Sequence, residues 1–342
     1  MLPAFSLLLL IAIVLTACSA QEPSTWKLVG RTMGTYYHIT VTHPEQLGGM
    51  TKQQLQDTVE QRLVLINQQM STYITDSDLS RFNQAPINTD VKVSPALASL
   101  VQRSIDLYRD SGGSFDPTVG SLVNLWGFGP GKHNDDVPPA AEIAHLVKIH
   151  GMNKVSVDLA HHTMRKTSDV YVDLSANAKG DGVDRIAELL EALGAKDYLV
   201  EIGGELRGHG LNDRGTFWQI AIEQPPASAS LESVYHAIAI ENTSVATSGD
   251  YRNYFEENGK RYSHTIDPRT GYPITHSLAS VTVIAPSCGD ADGLATAINV
   301  MGPDKGMAFA NKHALAVYMM VRTKSSFEAR SSRAFKPFLT EN

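Results

Sequence analysis

The chain has 342 residues, with 29 Lys and Arg against 36 Asp and Glu and a formal net charge of −7 at pH 7. The length permits one large domain or two, and the composition is that of a soluble globular protein. The acidic balance, without any run rich in Lys or Arg, argues against nucleic acid as a partner.

The apolar stretch from Leu7 to Leu15 is too short to span a bilayer as a mature helix and reads as the core of a secretory signal. It ends Leu15-Thr16-Ala17-Cys18, which resembles the lipobox of bacterial lipoproteins, where the Cys becomes the lipidated first residue. An ordinary cleaved signal with an incidental Cys is the alternative; Met1 to Ser6 carries no Lys or Arg, although signals usually begin basic. The expected organisation is a signal over 1–17, a polar tether over 18–25 and a single domain over 26–342. That places the protein on the periplasmic side of a bacterial envelope, lipid-anchored to a membrane. The only other Cys is Cys288, so the mature protein is expected to lack an internal disulfide.

Trp26 to Thr42 predicts two strands around Met33-Gly34-Thr35. Thr51 caps a helix whose apolar positions Leu55, Val59, Leu63, Ile66 and Met70 follow helical spacing. Ser71 to Asn83, which contains Tyr73, reads as a loop. Ser94 and Pro95 start a second helix, with a stripe of Leu97, Leu100, Val101, Ile105 and Tyr108, and Gly112-Gly113 stop it. Ser114 to Pro130 mixes aromatics, glycines and one Asp without a period, as ligand-lining loops and buried connectors both do. His133 to Pro139 reads as an exposed linker. A short helix near Ala141 to His150 precedes strands near Val155 to Leu159 and Val170 to Leu174. Ser175 to Gly180 then opens a helix carrying Val183, Ile186, Leu190 and Leu193. A strand, a turn and a helix in that order present backbone N–H groups to phosphate, though the motif here is weak. Strands follow at Tyr198 to Ile202, Phe217 to Ile222 and Tyr235 to Ile240. Ala246 to Tyr251 reads as turn, and Ser263 to Pro273 as a loop punctuated by proline.

Val281 to Ala285 alternates like a strand, and Asp290 to Ala297 opens a helix. Asp292 and Thr296 are four apart, so they share a helix face. A carboxylate and a hydroxyl so placed suit a hard cation, although an Asp in a first helical turn also simply answers the helix dipole. A helix near Pro303 to Lys312 and a strand over Ala314 to Val321 complete the chain.

Together these stretches resemble the FAD:protein FMN transferase family, also called the ApbE family. The resemblance rests on Met33-Gly34-Thr35, Ser71-Thr72-Tyr73, Phe115 to Gly120, Asp173 to Gly180, Gly203-Gly204-Glu205, Thr247 to Tyr251, His264 to Pro268 and Asp292 to Thr296. It implies an α+β fold of mixed sheets with flanking helices, in two lobes with a flavin-binding cleft. It also implies FAD contacts from Met33, Tyr73, Ser114, Phe115, Asp116, Asp173, Lys179 and Ile266. Mg²⁺ would sit among the Ala176 carbonyl, Asp292 and Thr296, with His264 beside the phosphates. Two departures stand out. Many members have Gly-Gly-Ile-Ala-Lys-Gly in place of Ser175 to Gly180, and many have Asp or Asn in place of Glu205, which is therefore assigned no role.

The activity implied is Mg²⁺-dependent transfer of FMN from FAD to a Ser or Thr hydroxyl of an exported protein, with release of AMP. The expected acceptors are subunits of membrane electron-transfer complexes. His264 is the first choice for base or phosphate contact, and Asp250 a weaker one. An FAD pyrophosphatase, with water in place of the acceptor, and a lipid-anchored flavin-binding protein without enzymatic activity remain the alternatives.

Overall fold

The Thr51 hydroxyl accepts a hydrogen bond from the Gln54 N–H while Gln54 Oε1 accepts one from the Thr51 N–H, so the first helix begins with a complete capping box. Its five predicted apolar positions are all buried. The computed structural model describes residues 25–130, 136–222, 236–249, 254–257 and 260–339. In chain order the elements are β1 (Trp26–Thr32), β2 (Thr35–Val41), α1 (Lys52–Met70), α2 (Asp78–Gln84), β3 (Val91–Lys92), α3 (Pro95–Asp110), α4 (Gly120–Leu125), α5 (Ala140–Ile149), β4 (Val155–Asp158), β5 (Thr163–Lys166), α6 (Ala178–Ala192), β6 (Tyr198–Ile202), β7 (Glu205–His209), β8 (Trp218–Ile222), β9 (His236–Ile240), β10 (Thr243–Gly249), β11 (Tyr254–Glu257), β12 (Lys260–Ser263), β13 (Ile266–Asp267), β14 (Tyr272–Pro273), β15 (Leu278–Ala285), α7 (Cys288–Met301), α8 (Pro303–Lys312), β16 (Ala316–Arg322) and β17 (Phe327–Ser331).

Eight strands form one sheet in the order β1-β2-β6-β7-β10-β15-β16-β17, and every pairing in it is antiparallel. Alternation along its central strands divides two cores. Ala246, Val281, Val283, Val317 and Met319 pack against Ala291, Ala295 and Ile298 of α7 and Ala310 of α8. Val245, Ile284, Tyr318 and Met320 point the other way, onto Trp218, Ile222, Ile238 and Ile240 of the β8–β9 pair and onto Phe335. Helices α1, α3 and α6 enclose a third core with β1, β2 and β6. A smaller cluster joins Leu122, Trp126, Ile143, Phe255 and Ile266.

The mixture of helices and sheets agrees with the expected class. Locally there are four departures. The loop predicted over Ser71 to Asn83 contains α2, capped by Ser77, whose side chain accepts from the Ser80 N–H. Val170 to Leu174 is not a strand: it makes a single parallel bridge, Tyr171 to Val119, and β5 is the strand that pairs with β4. Ala246 to Gly249 is not a turn but the second half of β10, held between β7 and β15. Strands β7 and β17 carry too few apolar residues to announce themselves. Residues 1–24, Asp250 and Tyr251 lie outside the described residues, as do 133–135 of the predicted linker; the anchor expected at Cys18 is among these.

Candidate functional site

α6 and α7 cap each other. Asp184 of α6 accepts from the N–H groups of Cys288 and Gly289, at 3.0 and 2.9 Å, and from the Ser287 hydroxyl. In return, Asp292 Oδ2 accepts from the Gly180 N–H at 3.0 Å. Asp292 therefore sits in the second turn of its own helix, which Ser287 caps, and its carboxylate serves the first turn of the other. The dipole-capping role considered for it within α7 does not hold. The two helices can approach this closely because residue 180 is Gly: a Cβ there would lie 2.3 Å from the Cys288 carbonyl oxygen.

A cavity of about 700 Å³ opens beside this junction. The start of α6 contributes Ala176 and Lys179, and the β6–β7 turn contributes Gly203, Gly204 and Glu205. The two glycines of that turn have φ of +61° and +104°, which few side chains tolerate. Ser248 comes from the end of β10, and Asp292, Thr296, Asn299 and Val300 form one face of α7. The opposite wall is Ser114, Phe115, Asp116, Val119, Val123 and Phe128, together with His264 and Ile266. Tyr73 stands at the rim, 67% exposed, and Asp173 is close by. Burial and the Asp173 charge raise the Tyr73 pKa, so its ring stays a neutral phenol. Met33 is not among the lining residues. The β1–β2 hairpin aims its side chain over Gly182 of α6, where it packs.

The site's charges are buried and interlocked. Lys179 Nζ lies 2.9 Å from Glu205 Oε1 and 3.7 Å from Asp292 Oδ2. Burial works to lower the Lys179 pKa, but Asp292 and Glu205 outweigh it and hold the lysine charged. Burial pushes Glu205 up to about 7, against the pull of Lys179, and it raises Asp292 too, against Lys179 and the Gly180 N–H. Glu205 Oε2 has no hydrogen-bond partner among the described residues. Thr296 Oγ1 lies 3.4 Å from the Ala176 carbonyl oxygen and 3.3 Å from Ser248 Oγ.

Of the three groups expected around a cation, Thr296 Oγ1 and the Ala176 carbonyl oxygen lie 3.4 Å apart, and Asp292, one helical turn from Thr296, lines the same cavity. Asp292 Oδ1 receives no hydrogen bond among the described residues, and a carboxylate, a hydroxyl and a carbonyl form a hard donor set that fits Mg²⁺. No group of three His, Cys, Asp or Glu suited to a metal occurs among the described residues, so a cation here depends on the hydroxyl and the main chain. Asp116 is otherwise engaged. Its Oδ1 accepts from the Thr118 N–H and hydroxyl, and its Oδ2 lies 3.0 Å from His150 Nδ1, so it shapes the wall with little left over for a ligand. Asp173 accepts from the Ser175 N–H and hydroxyl through Oδ1 alone. The His264 ring meets the edge of Phe128 at 6.3 Å.

Oxygen donors and a charged lysine in a large, partly aromatic cavity suit a phosphate-bearing ligand with an extended apolar part. A model described as the ApbE family matches residues 33–319, and the chain belongs to that family. Among curated relatives, it is 46% identical to a Haemophilus influenzae protein named FAD:protein FMN transferase, over 96% of this chain and 95% of that one. A Vibrio cholerae protein of the same name is 43% identical, over 98% and 99%. Among solved structures, the flavin transferase ApbE from Vibrio cholerae superposes with a TM-score of 0.86 at 43% identity, over 93% of this chain and all of that one. The apo flavinyl transferase ApbE of Pseudomonas stutzeri gives 0.87 at 38% identity, over 95% of this chain and all of that one.

Of the cavity residues to which the sequence assigns no role, two bear most on the site. Glu205 stands where the family often has another residue, yet it is the partner of Lys179. Asn299 sits within Ala297-Ile298-Asn299-Val300, and a polar residue in a buried helical run was the signal available.

Proposed function

We propose that this protein transfers the FMN half of FAD to a Ser or Thr hydroxyl of an exported acceptor protein and releases AMP. The observation that carries the reading is one cavity of about 700 Å³ lined by Asp292 with Lys179 3.7 Å from it, and by Thr296 with the Ala176 carbonyl 3.4 Å from its hydroxyl. The names of the relatives support it. In this reading the cavity is the cleft between two lobes. Lys179 draws the pyrophosphate into place, and the aromatic wall and Tyr73 hold the rings.

The acceptor oxygen attacks the FMN-side phosphorus. Its proton passes to an imidazole nitrogen of His264, which is the base in this proposal. The bond from that phosphorus to the bridging oxygen breaks, and AMP departs with the electron pair. Held by Asp292, Thr296 and Ala176, Mg²⁺ would offset the charge gathering on the pyrophosphate oxygens. Ser248 and Glu205 fix the positions of Thr296 and Lys179. The lipobox at Cys18 supports a periplasmic, lipid-anchored location, and with it acceptors among the subunits of membrane electron-transfer complexes.

The test mixes purified protein with FAD and Mg²⁺, with and without a peptide bearing an acceptor Ser or Thr. AMP in step with flavin-labelled peptide supports the transferase. AMP without peptide makes the protein an FAD pyrophosphatase. FAD bound with no AMP in either arm makes it a flavin-binding protein.

A further inference from the structure

Asn299 is 1% exposed, lines the cavity, and has no hydrogen-bond partner among the described residues for either Oδ1 or Nδ2. Among the described residues it is the only side chain whose amide is buried with both polar atoms unpaired; Asn177, by contrast, donates from Nδ2 to Ser104. Buried amides in folded proteins almost always find partners, and an apolar residue of the same shape would avoid the cost altogether. The side chain belongs to the face of α7 that carries Asp292 and Thr296, at the spacing that stacks residues along one side of a helix. It follows Thr296 by three positions, which is roughly 4.5 Å along the axis. The unpaired amide therefore stands about one helical turn beyond Thr296, on the same cavity wall.

We infer that Asn299 recognises a flat ring edge that presents a donor and an acceptor side by side. An Asn amide offers the complementary pair, Oδ1 to accept and Nδ2 to donate, and can make both bonds at once, as it does with adenine in nucleic-acid grooves. FAD carries two such edges: the imide of the isoalloxazine and the aminopyrimidine edge of adenine. This assignment rests on the reading that the cavity takes FAD, and it makes Asn299 a specificity residue distinct from the charged centre.

The experiment compares the parent with Asn299→Leu and Asn299→Ser. Each is titrated with FAD, FMN and ADP in the presence of a chelator, so that no turnover intervenes, and each is melted without ligand. The expected result is an FAD affinity lower by about tenfold in both variants, with the unliganded Leu variant melting at or above the parent. A loss confined to the FMN arm assigns the bond to the isoalloxazine imide; a loss confined to the ADP arm assigns it to adenine. Affinities equal to the parent's for all three ligands overturn the inference. Should Asn299→Leu fail to fold, Asn299→Ser decides alone, since a single short hydroxyl cannot replace both bonds. If the parent fails to bind FAD both with the chelator and with Mg²⁺ present, the proposed function falls and not merely this refinement of it.

Discussion

Glu205 has a raised pKa, about 7 in the folded protein against 4.5 ordinarily, because burial disfavours its charge more than Lys179 favours it. A carboxyl with a raised folded pKa keeps its proton longer in the native state than in the unfolded one. Its effect on stability therefore favours the fold below pH 4.5 and is lost as pH rises through 7. Measured without metal or FAD, unfolding free energy should fall by about 1–3 kcal/mol across that window. Glu205→Gln should flatten the slope, and an equally steep profile in the variant would clear Glu205 of it. Asp292 couples chemistry to structure, so Asp292→Asn should do two things. AMP release should fall at least about tenfold, with partial recovery at high Mg²⁺ by mass action. Stability should also fall by about 1–2 kcal/mol, because the Gly180 N–H loses a charged acceptor. Paired Mg²⁺ titrations and melts check both; normal turnover at all Mg²⁺ concentrations would remove Asp292 from the metal site. Tyr73→Ala, at an exposed rim position, should weaken FAD binding while leaving the melting temperature nearly unchanged, within about 0.5 kcal/mol of stability. Calorimetric titration with FAD decides it, and an unaltered affinity removes Tyr73 from the site.

At the scale of elements, the crossing of α6 and α7 builds the site. Gly180→Ala places a methyl group against the Cys288 carbonyl and the Asp292 side chain. It should cost about 2–4 kcal/mol and abolish AMP release in the folded fraction, since the helices must part and the three oxygens with them. Chemical denaturation of the variant beside the parent measures the loss; a stable, active Ala variant would show that the close approach is dispensable. The long helices were legible because Thr51 and Ser94 cap apolar stripes at regular spacing. β10 was not. Thr243-Ser244-Val245-Ala246-Thr247-Ser248-Gly249 has the composition of a turn, and only neighbours on both sides pair its backbone and bury its middle. Its hydroxyls serve those neighbours, as when Thr247 meets Thr282 at 2.8 Å. The site shows the same division. Asp292 and Thr296 could be paired from helical spacing alone, and Ala176 could be added through the family resemblance. That Glu205 faces Lys179, or that Met33 turns away, depends on how hairpins fold, and one sequence does not carry that.

For the whole molecule, Cys18→Ser should move the protein from the membrane to the soluble fraction. Fractionation and labelling with a lipid precursor check this, and an unchanged distribution would overturn the anchoring proposal. Strand β1 begins at Trp26, on one edge of the eight-stranded sheet. Under the anchoring proposal, seven residues lie between Cys18 and Trp26, and the eight Cα steps that join them span at most about 29 Å when fully extended. The enzyme is then on a short leash. It can patrol a thin layer above the bilayer and no more, and any hydroxyl it modifies must pass through that layer. Selection among acceptors becomes partly a matter of altitude: a suitable Ser or Thr held far above the membrane stays unmodified, whatever its local sequence.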